Sequence, residues 1–256
     1  MTAFVLKIIA LTCMIIDHMG VVFPEFFPDY FRVIGRLAFP VYVYLIAEGC
    51  RHTRSMPKYL LRLGIFALVS QIPFDLAVHH KSLSEVSFIT DTNVFYTLFL
   101  GVLSIYGYQK LKDMGMMKLL PRLIPLVAIG LAELLGTDYG GFGVLFIFLM
   151  FVIQGKKPRL AAMALCCCYE FHFVLPALAL AIAERILGRV WFGQSLAPYL
   201  DMRWIMMLVV CLLSVPLAAM YNGQRGPAAK WWFYAAYPVH LLILAGVWRL
   251  MPLLGR

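Results

Sequence analysis

Long apolar runs joined by short polar connections dominate this chain. They lie at 3–23, 33–50, 59–78, 93–109, 121–136, 142–154, 160–171, 173–188, 203–221 and 231–250. Inside a bilayer each backbone amide and carbonyl must be satisfied without water, so runs of this kind predict helices. The pattern predicts an all-α, polytopic transmembrane helical bundle of about 8–10 spans, several of them shorter than the usual ~20 residues. The pair around 160–188 is broken at Glu170–Phe171–His172 and at Pro176, which predicts tilted, re-entrant or protein-buried segments.

The polar residues inside the runs are the informative exceptions. The first run carries Lys7, Asp17 and His18. An ionisable group in a spanning helix costs roughly 2.5–3.5 kcal/mol on insertion scales, so it usually faces a bundle interior or a wet cavity. Positions eleven apart on a helix return to nearly one face with a rise of about 16 Å, so Lys7 and His18 share a stripe. Neighbouring positions diverge by about 100°, so Asp17 is expected to pair with a basic group on another helix, such as Arg36, rather than to orient His18. A plainer role for Asp17 and Lys7, pinning one helix to its neighbours, stays open.

The second run, IGRLAFPVYVYLIAEGC, places Arg36 near one end, Pro40 within it and Glu48 near the other. Arg36 suits an interface as well as a site, and Glu48 with Arg51 and His52 suits a pocket rim or an interfacial anchor. The third run ends SQIPFDL, with Asp75 two residues after Pro73, and the fourth opens DTNVFYTLFLG, with Asp91 and Asn93 at a helix start. There Asp91 or Thr92 is a candidate N-cap. TDYGGFG is a tight turn whose Asp138 and Tyr139 are candidates to face a cavity, and YNGQRG is a turn in which Asn222–Gly223 is the signal and Arg225 the candidate anion ligand. In the last run His240 follows Pro238 by two residues. It suits either a bond to the carbonyl that the proline frees or a cavity shared with His18. His79 and His80 fall in a loop and are expected to be solvated.

Composition narrows the class. Hydrophobic residues make up 62% of the chain and charged ones 14%, with a mean hydropathy of +0.84. A soluble domain of this length could not hide that much apolar surface, so the partner is a lipid bilayer. The net charge of +9 is explained by loops under the positive-inside rule rather than by nucleic acid. Arg51, Arg54, Lys58 and Arg62 follow the second run, Lys110, Lys112, Lys118 and Arg122 the fourth, and Lys156, Lys157 and Arg159 the sixth. The intervening loops hold Glu25 and Asp29, then Glu85 and Asp91, then Asp138. This alternation predicts cytosolic basic loops and a cytosolic N-terminus. With ten spans Arg225 and Lys230 would fall outside, against the rule. The start lacks a basic n-region and an A-x-A site, so a cleavable signal peptide is not expected. Cys13, Cys50, Cys166, Cys167, Cys168 and Cys211 show no CxxC spacing, and they read as apolar fillers with no metal site. Residues 1–256 read as a single membrane domain.

The chain resembles the TraX family of membrane proteins, named for a conjugative-pilus component linked to N-terminal acetylation of pilin. The resemblance rests on LKIIALTCMIIDHMG, IGRLAFPVYVYLIAEGCRHTRSMPKYLLRL, IFALVSQIPFDLA, NVFYTLFLG, DYGGFGVL, YNGQRG and YPVHLLIL. A more distant similarity is to membrane acyltransferase family three, which carries a basic residue, ten intervening residues and a histidine in its first span, as Lys7 and His18 do here. The resemblance implies a bacterial cytoplasmic-membrane protein that transfers acetyl from acetyl-CoA to an amine or hydroxyl acceptor. It leaves that acceptor open among a pilin-like N-terminus, a glycan or a lipid. Histidine, with an ordinary pKa of about 6.5, suits the base or acyl relay, which makes His18 the candidate catalytic group with Asp17 and His240. Arg51, Arg54, Lys58 and Arg62 are candidate contacts for the phosphates of the donor. Two other functions remain open: a proton-coupled carrier using Asp17, His18 and His240 as a relay, and a non-catalytic assembly protein of a conjugation or secretion machine.

Overall fold

A computed structural model describes residues 1–115, 119–187 and 202–254 of the chain. Among the described residues the structure is all helical: α1 Ala3–Val22, α2 Tyr30–Gly35, α3 Ala38–His52, α4 Met56–Val78, α5 Val94–Asp113, α6 Leu120–Leu134, α7 Gly140–Val152, α8 Lys156–Glu170, α9 Val174–Leu187, α10 Met202–Ala219 and α11 Lys230–Leu250. Each apolar run corresponds to one of these helices, the second run to α2 and α3 together. Lys118 and the last residue of the 173–188 run lie outside the described residues. Five spans are long and apolar enough to cross a membrane: α1, α2 with α3, α4, α10 and α11. The α8–α9 pair would make a sixth, bent by 69° at the break the sequence marks.

Local chemistry sets the helix ends. Asn93, not Asp91 or Thr92, caps α5 by accepting the Phe95 amide at 3.0 Å. Asp91 instead takes a left-handed backbone conformation, φ +52°, a region that Asp tolerates better than most residues. The Ser55 hydroxyl caps α4. Pro40 does not kink a continuous span. The chain breaks at Arg36–Leu37, and Pro40 falls in the first turn of α3, where a missing amide costs no helical bond.

Burial follows the expected stripes. On α4, Leu61, Ile65, Leu68 and Ile72 form an exposed apolar face, while Leu60, Leu63, Ala67 and Phe74 turn inward. In a bilayer the exposed face meets lipid tails. Inside, α1 packs on α2, α3 and α11, α4 packs on α11 and α5, and α3 and α5 both pack on α7. Phe4 meets Phe233 with ring centres 5.6 Å apart, so α1 and α11 start side by side, and His18 meets His240 further along.

Two glycines make close approaches possible. A Cβ on Gly35 would lie 2.1 Å from Asp17 Oδ1, so α2 can seat the Asp17 side chain only because residue 35 has none. Gly226, at φ +74°, lies against Thr2 and Phe4. Next to it the amides of Ala3 and Phe4 bond to the Gln224 and Arg225 carbonyls at 2.8 and 3.1 Å, so the NGQRG turn is stitched to the start of α1.

Gly35→Ala should therefore destabilise the fold by about 1–3 kcal/mol, the usual cost of overpacking. Gly246→Ala, with nothing within 4 Å of its added Cβ, should not. Thermal unfolding of the two variants in detergent checks this; equal melting temperatures would refute the close seating of Asp17.

Candidate functional site: a charged cavity beside a histidine pair

A cavity of about 1160 Å³ runs between α1, α3, α4 and α11. Its lining includes Lys7, Arg54, Arg62, Arg225 and Lys230 towards the start of α1, and Asp17, His18, Arg32, Arg36, His79, Asp138, Tyr139 and Glu170 towards the other end. Lys7 and Asp17, ten residues apart on α1, place these two groups about 15 Å apart along the helix axis.

Asp17 organises the second end. Its carboxylate accepts Arg32 Nη1 at 2.5 Å and Arg36 Nη2 at 3.1 Å, and Arg36 Nε also donates to the Arg32 carbonyl at 3.3 Å. The Arg36 partner was legible in the sequence; Arg32, four residues earlier on the same face, was the missed half. Losing one partner of a buried ion pair typically costs 3–5 kcal/mol, because a charge is left behind without its counterion.

His18 sits on the neighbouring face, 8% exposed. Its Nδ1 lies 2.6 Å from His240 Nε2, with the rings stacked 4.9 Å apart, and His240 Nδ1 lies 2.7 Å from the Ala236 carbonyl. The network assigns the protons. A carbonyl only accepts, so His240 Nδ1 carries the hydrogen and its Nε2 accepts. His18 Nδ1 is then the donor to His240. His18 Nε2 keeps its lone pair and has no hydrogen bond among the described residues. His240 itself does not line the cavity; it stands behind His18 and orients it. The carbonyl it uses is that of Ala236, not the Tyr234 carbonyl freed by Pro238. Tyr237 stands edge-on to both rings, 5.8 and 5.6 Å away, and its buried hydroxyl makes no hydrogen bond of normal geometry.

The first end is cationic. Lys7 lies over the Phe233 ring at 5.4 Å, Lys230 over Trp231 at 5.4 Å, and Arg62 over Tyr59 at 5.7 Å with its Nε buried and unpartnered. The stitched turn brings Arg225 within electrostatic reach of Lys7. Among the described residues no carboxylate pairs with any of these cations. Glu48, which lines the cavity nearby, is already engaged by Arg51 at 3.1 Å and by Arg159.

Other expected site residues are placed elsewhere. Arg51 leaves the cavity to cap the end of α7, donating to the carbonyls of Met150, Phe151 and Ile153. Asn222 closes its own turn by accepting the Gln224 amide. Asn93 is fully buried against Gln71 and Ala67, and Asp91 lies outside the cavity, its carbonyl bound by Gln71. Asp75 is buried behind the cavity wall, where it binds His79 and Lys81. His79 and His80 are both exposed, as expected, but His79 ends α4, pairs with Asp75 and lines the cavity. His80 stacks on Trp248 at 4.2 Å.

Asp138 and Tyr139, in the turn before α7, both face the cavity. Tyr139 stacks flat on Phe39 at 3.4 Å, and burial pushes its phenol pKa well up, so it remains a proton donor. Asp138 is exposed and lines the cavity. Enclosure by protein pushes its pKa up, to about 6, aided by Asp17 and opposed by Arg36, Arg32 and His79.

Comparison with known proteins places the whole chain in one family. A family model described as "TraX protein" matches residues 3–248. A relative from Dichelobacter nodosus, "Probable fimbrial assembly protein FimC, serogroup H1", is 27% identical over 253 residues, covering 95% of this chain and 94% of that protein. No solved structure matches.

The raised pKa of Asp138 has a defined sign. The folded state holds this proton more tightly than the unfolded chain, whose Asp pKa is about 3.9. The stability it contributes is present at low pH and lost as pH rises to about 6. Asp138→Asn should remove that loss, so the variant melts higher than wild type at pH 7.5 and alike at pH about 4. Parallel melting curves across this range would show that cavity water screens the carboxylate fully.

Proposed function

Because the chain belongs to the TraX family, we propose that it is an integral-membrane acyltransferase that moves acetyl from acetyl-CoA to an amine or hydroxyl acceptor, with His18 as the general base. The observation that carries this reading is the His18–His240–Ala236 chain, which presents an unprotonated Nε2 in a cavity joining a cationic end to a carboxylate-bearing one.

The residues fit a polyanionic donor. Arg54, Arg62, Arg225, Lys7 and Lys230 offer charge-assisted donors to phosphates, and Arg62 Nε is an unused one. Lys7 and His18 lie about 16 Å apart along α1, a separation suited to a long, thin pantetheine-like arm. When bound, the donor supplies an acyl group activated as a thioester. His18 Nε2 takes the proton from the acceptor N–H or O–H. His240 and the Ala236 carbonyl stabilise the imidazolium that results, much as a carboxylate does behind a catalytic histidine. The Tyr237 hydroxyl and the Arg32 and Arg36 guanidiniums are donors near His18 for negative charge developing on a carbonyl oxygen. His18 then returns the proton to the leaving sulfur.

The proposed setting is the bacterial cytoplasmic membrane, with the chain start and the Arg54 and Lys157 loops in the cytosol. The acceptor then arrives from the Asp138 side. The name of the Dichelobacter nodosus relative favours a second reading, a non-catalytic role in fimbrial or pilus assembly. That reading tolerates loss of His18 as long as the protein inserts.

His18→Ala should leave the fold intact and lower transfer from labelled acetyl-CoA by the roughly 10²–10⁴ typical of a lost general base. His240→Ala, which releases the His18 ring, should lower it by less. Folded His18→Ala protein that transfers acetyl at the wild-type rate would refute the assignment and leave the assembly reading standing.

A further inference from the structure

The cavity holds a second oriented histidine that the scheme above does not use. His79 ends α4 with its Nδ1 2.7 Å from Asp75 Oδ1, and its ring lines the cavity. Asp75 is completely buried and fully employed. It also accepts Lys81 Nζ at 3.0 Å, the Ser87 amide at 3.0 Å and Gln71 Nε2 at 3.3 Å. A carboxylate only accepts, so His79 Nδ1 carries the hydrogen, and in the neutral ring Nε2 then has the lone pair. No hydrogen bond occupies that Nε2 among the described residues. Phe74 stands edge-on to the ring at 5.1 Å and limits its rotation. The charged and titratable groups around it are Asp75 on its own helix, His80 and Lys81 in the following loop, and Asp138 from the turn before α7.

Proton bookkeeping gives this arrangement a use. An amine reaches the cavity as an ammonium and sheds two protons as it becomes an amide. One is lost as the N–C bond forms; His18 takes it and hands it to the sulfur as the C–S bond breaks. The other must leave the ammonium before its nitrogen has a lone pair with which to attack, and His18 cannot hold both. We propose that His79, oriented by Asp75, is the second proton acceptor of this reaction, taking the first proton from an ammonium acceptor at the Asp138 end of the cavity. His79 Nε2 forms the new N–H bond as the ammonium N–H breaks, and the proton then passes to water entering from that end. Lys81 shares the Asp75 oxygen with His79. That sharing keeps the imidazolium from being trapped in a tight ion pair. This inference rests on the acyltransferase reading.

Two small acceptors separate the steps at neutral pH. Ethylamine is present as ammonium and must lose a proton before attack, whereas hydroxylamine is already neutral. Purified full-length protein in lipid nanodiscs, given labelled acetyl-CoA, is assayed with each, with the rate lacking protein subtracted. His79→Asn keeps an N–H donor for Asp75 but cannot carry the proton. It should lower transfer to ethylamine by about 10²-fold or more while leaving transfer to hydroxylamine near wild type, which also reports that the variant is folded. His18→Ala should lose both. If His79→Asn reduces both acceptors alike, or neither, His79 only clamps the end of α4 and the proposal is wrong. If wild type transfers to neither acceptor, the acyltransferase reading fails and this one falls with it.

Discussion

One carboxylate held between two guanidiniums fixes the rest of the site. Asp17 on α1 receives Arg32 and Arg36 from the short α2 and the break after it, with Gly35 lying flat beneath its side chain. A bilayer interior makes an unpaired carboxylate costly, so α1 has a strong preference for the rotation and depth at which both arginines reach it. That setting turns the next residue, His18, towards α11, where His240 and the Ala236 carbonyl complete its hydrogen-bond chain. The DH pair, the GRLAFP run and the YPVH segment are thus parts of a single packing solution.

Charge is distributed along the cavity in a way that serves topology and chemistry together. The cations at the start of α1 and α4 have the location that the positive-inside rule assigns to the cytosolic face. Insertion alone asks only that they lie in loops. Arg62 with an unpartnered buried Nε and Arg225 stitched beside Lys7 go further, because two like charges and an unsatisfied donor are held near one another and no carboxylate among the described residues pairs with them. At the other end Asp17 and Arg36 lie beside Asp138 and Glu170, and the field is mixed. In the proposed acyltransferase that difference sorts a polyanionic donor and a neutral or cationic acceptor to opposite ends.

The helical architecture was legible because apolar runs and bilayer thickness leave little else possible. The Lys7–His18 stripe and the Asp17–Arg36 pairing follow from helix periodicity and from the cost of burying charge, and the TDYGGFG turn marks Asp138 and Tyr139 as candidates to face a cavity. What periodicity could not supply was side-chain direction at helix ends and breaks. Arg51 carries the same charge as Arg54 but turns onto the end of α7. Asn93 looks like a site residue but spends its amide on Gln71 and Ala67. His79 reads as a loop residue because it falls one position beyond the 59–78 run, and run limits do not show that its side chain turns back to Asp75, four residues earlier. Tyr237 sits in an aromatic-rich segment with no local mark of the two imidazoles beside it.

In the proposed acyltransferase the cavity is a route between two faces of the membrane, with donor and acceptor meeting at His18. The direct measurement uses purified protein in sealed vesicles of known orientation, with labelled acetyl-CoA on one side and an amine acceptor on the other. The account predicts labelled acceptor when acetyl-CoA is on the Arg54 and Arg225 side and the acceptor on the Asp138 side, and none in the reverse arrangement. Transfer that occurs only with both substrates on the same side would contradict it.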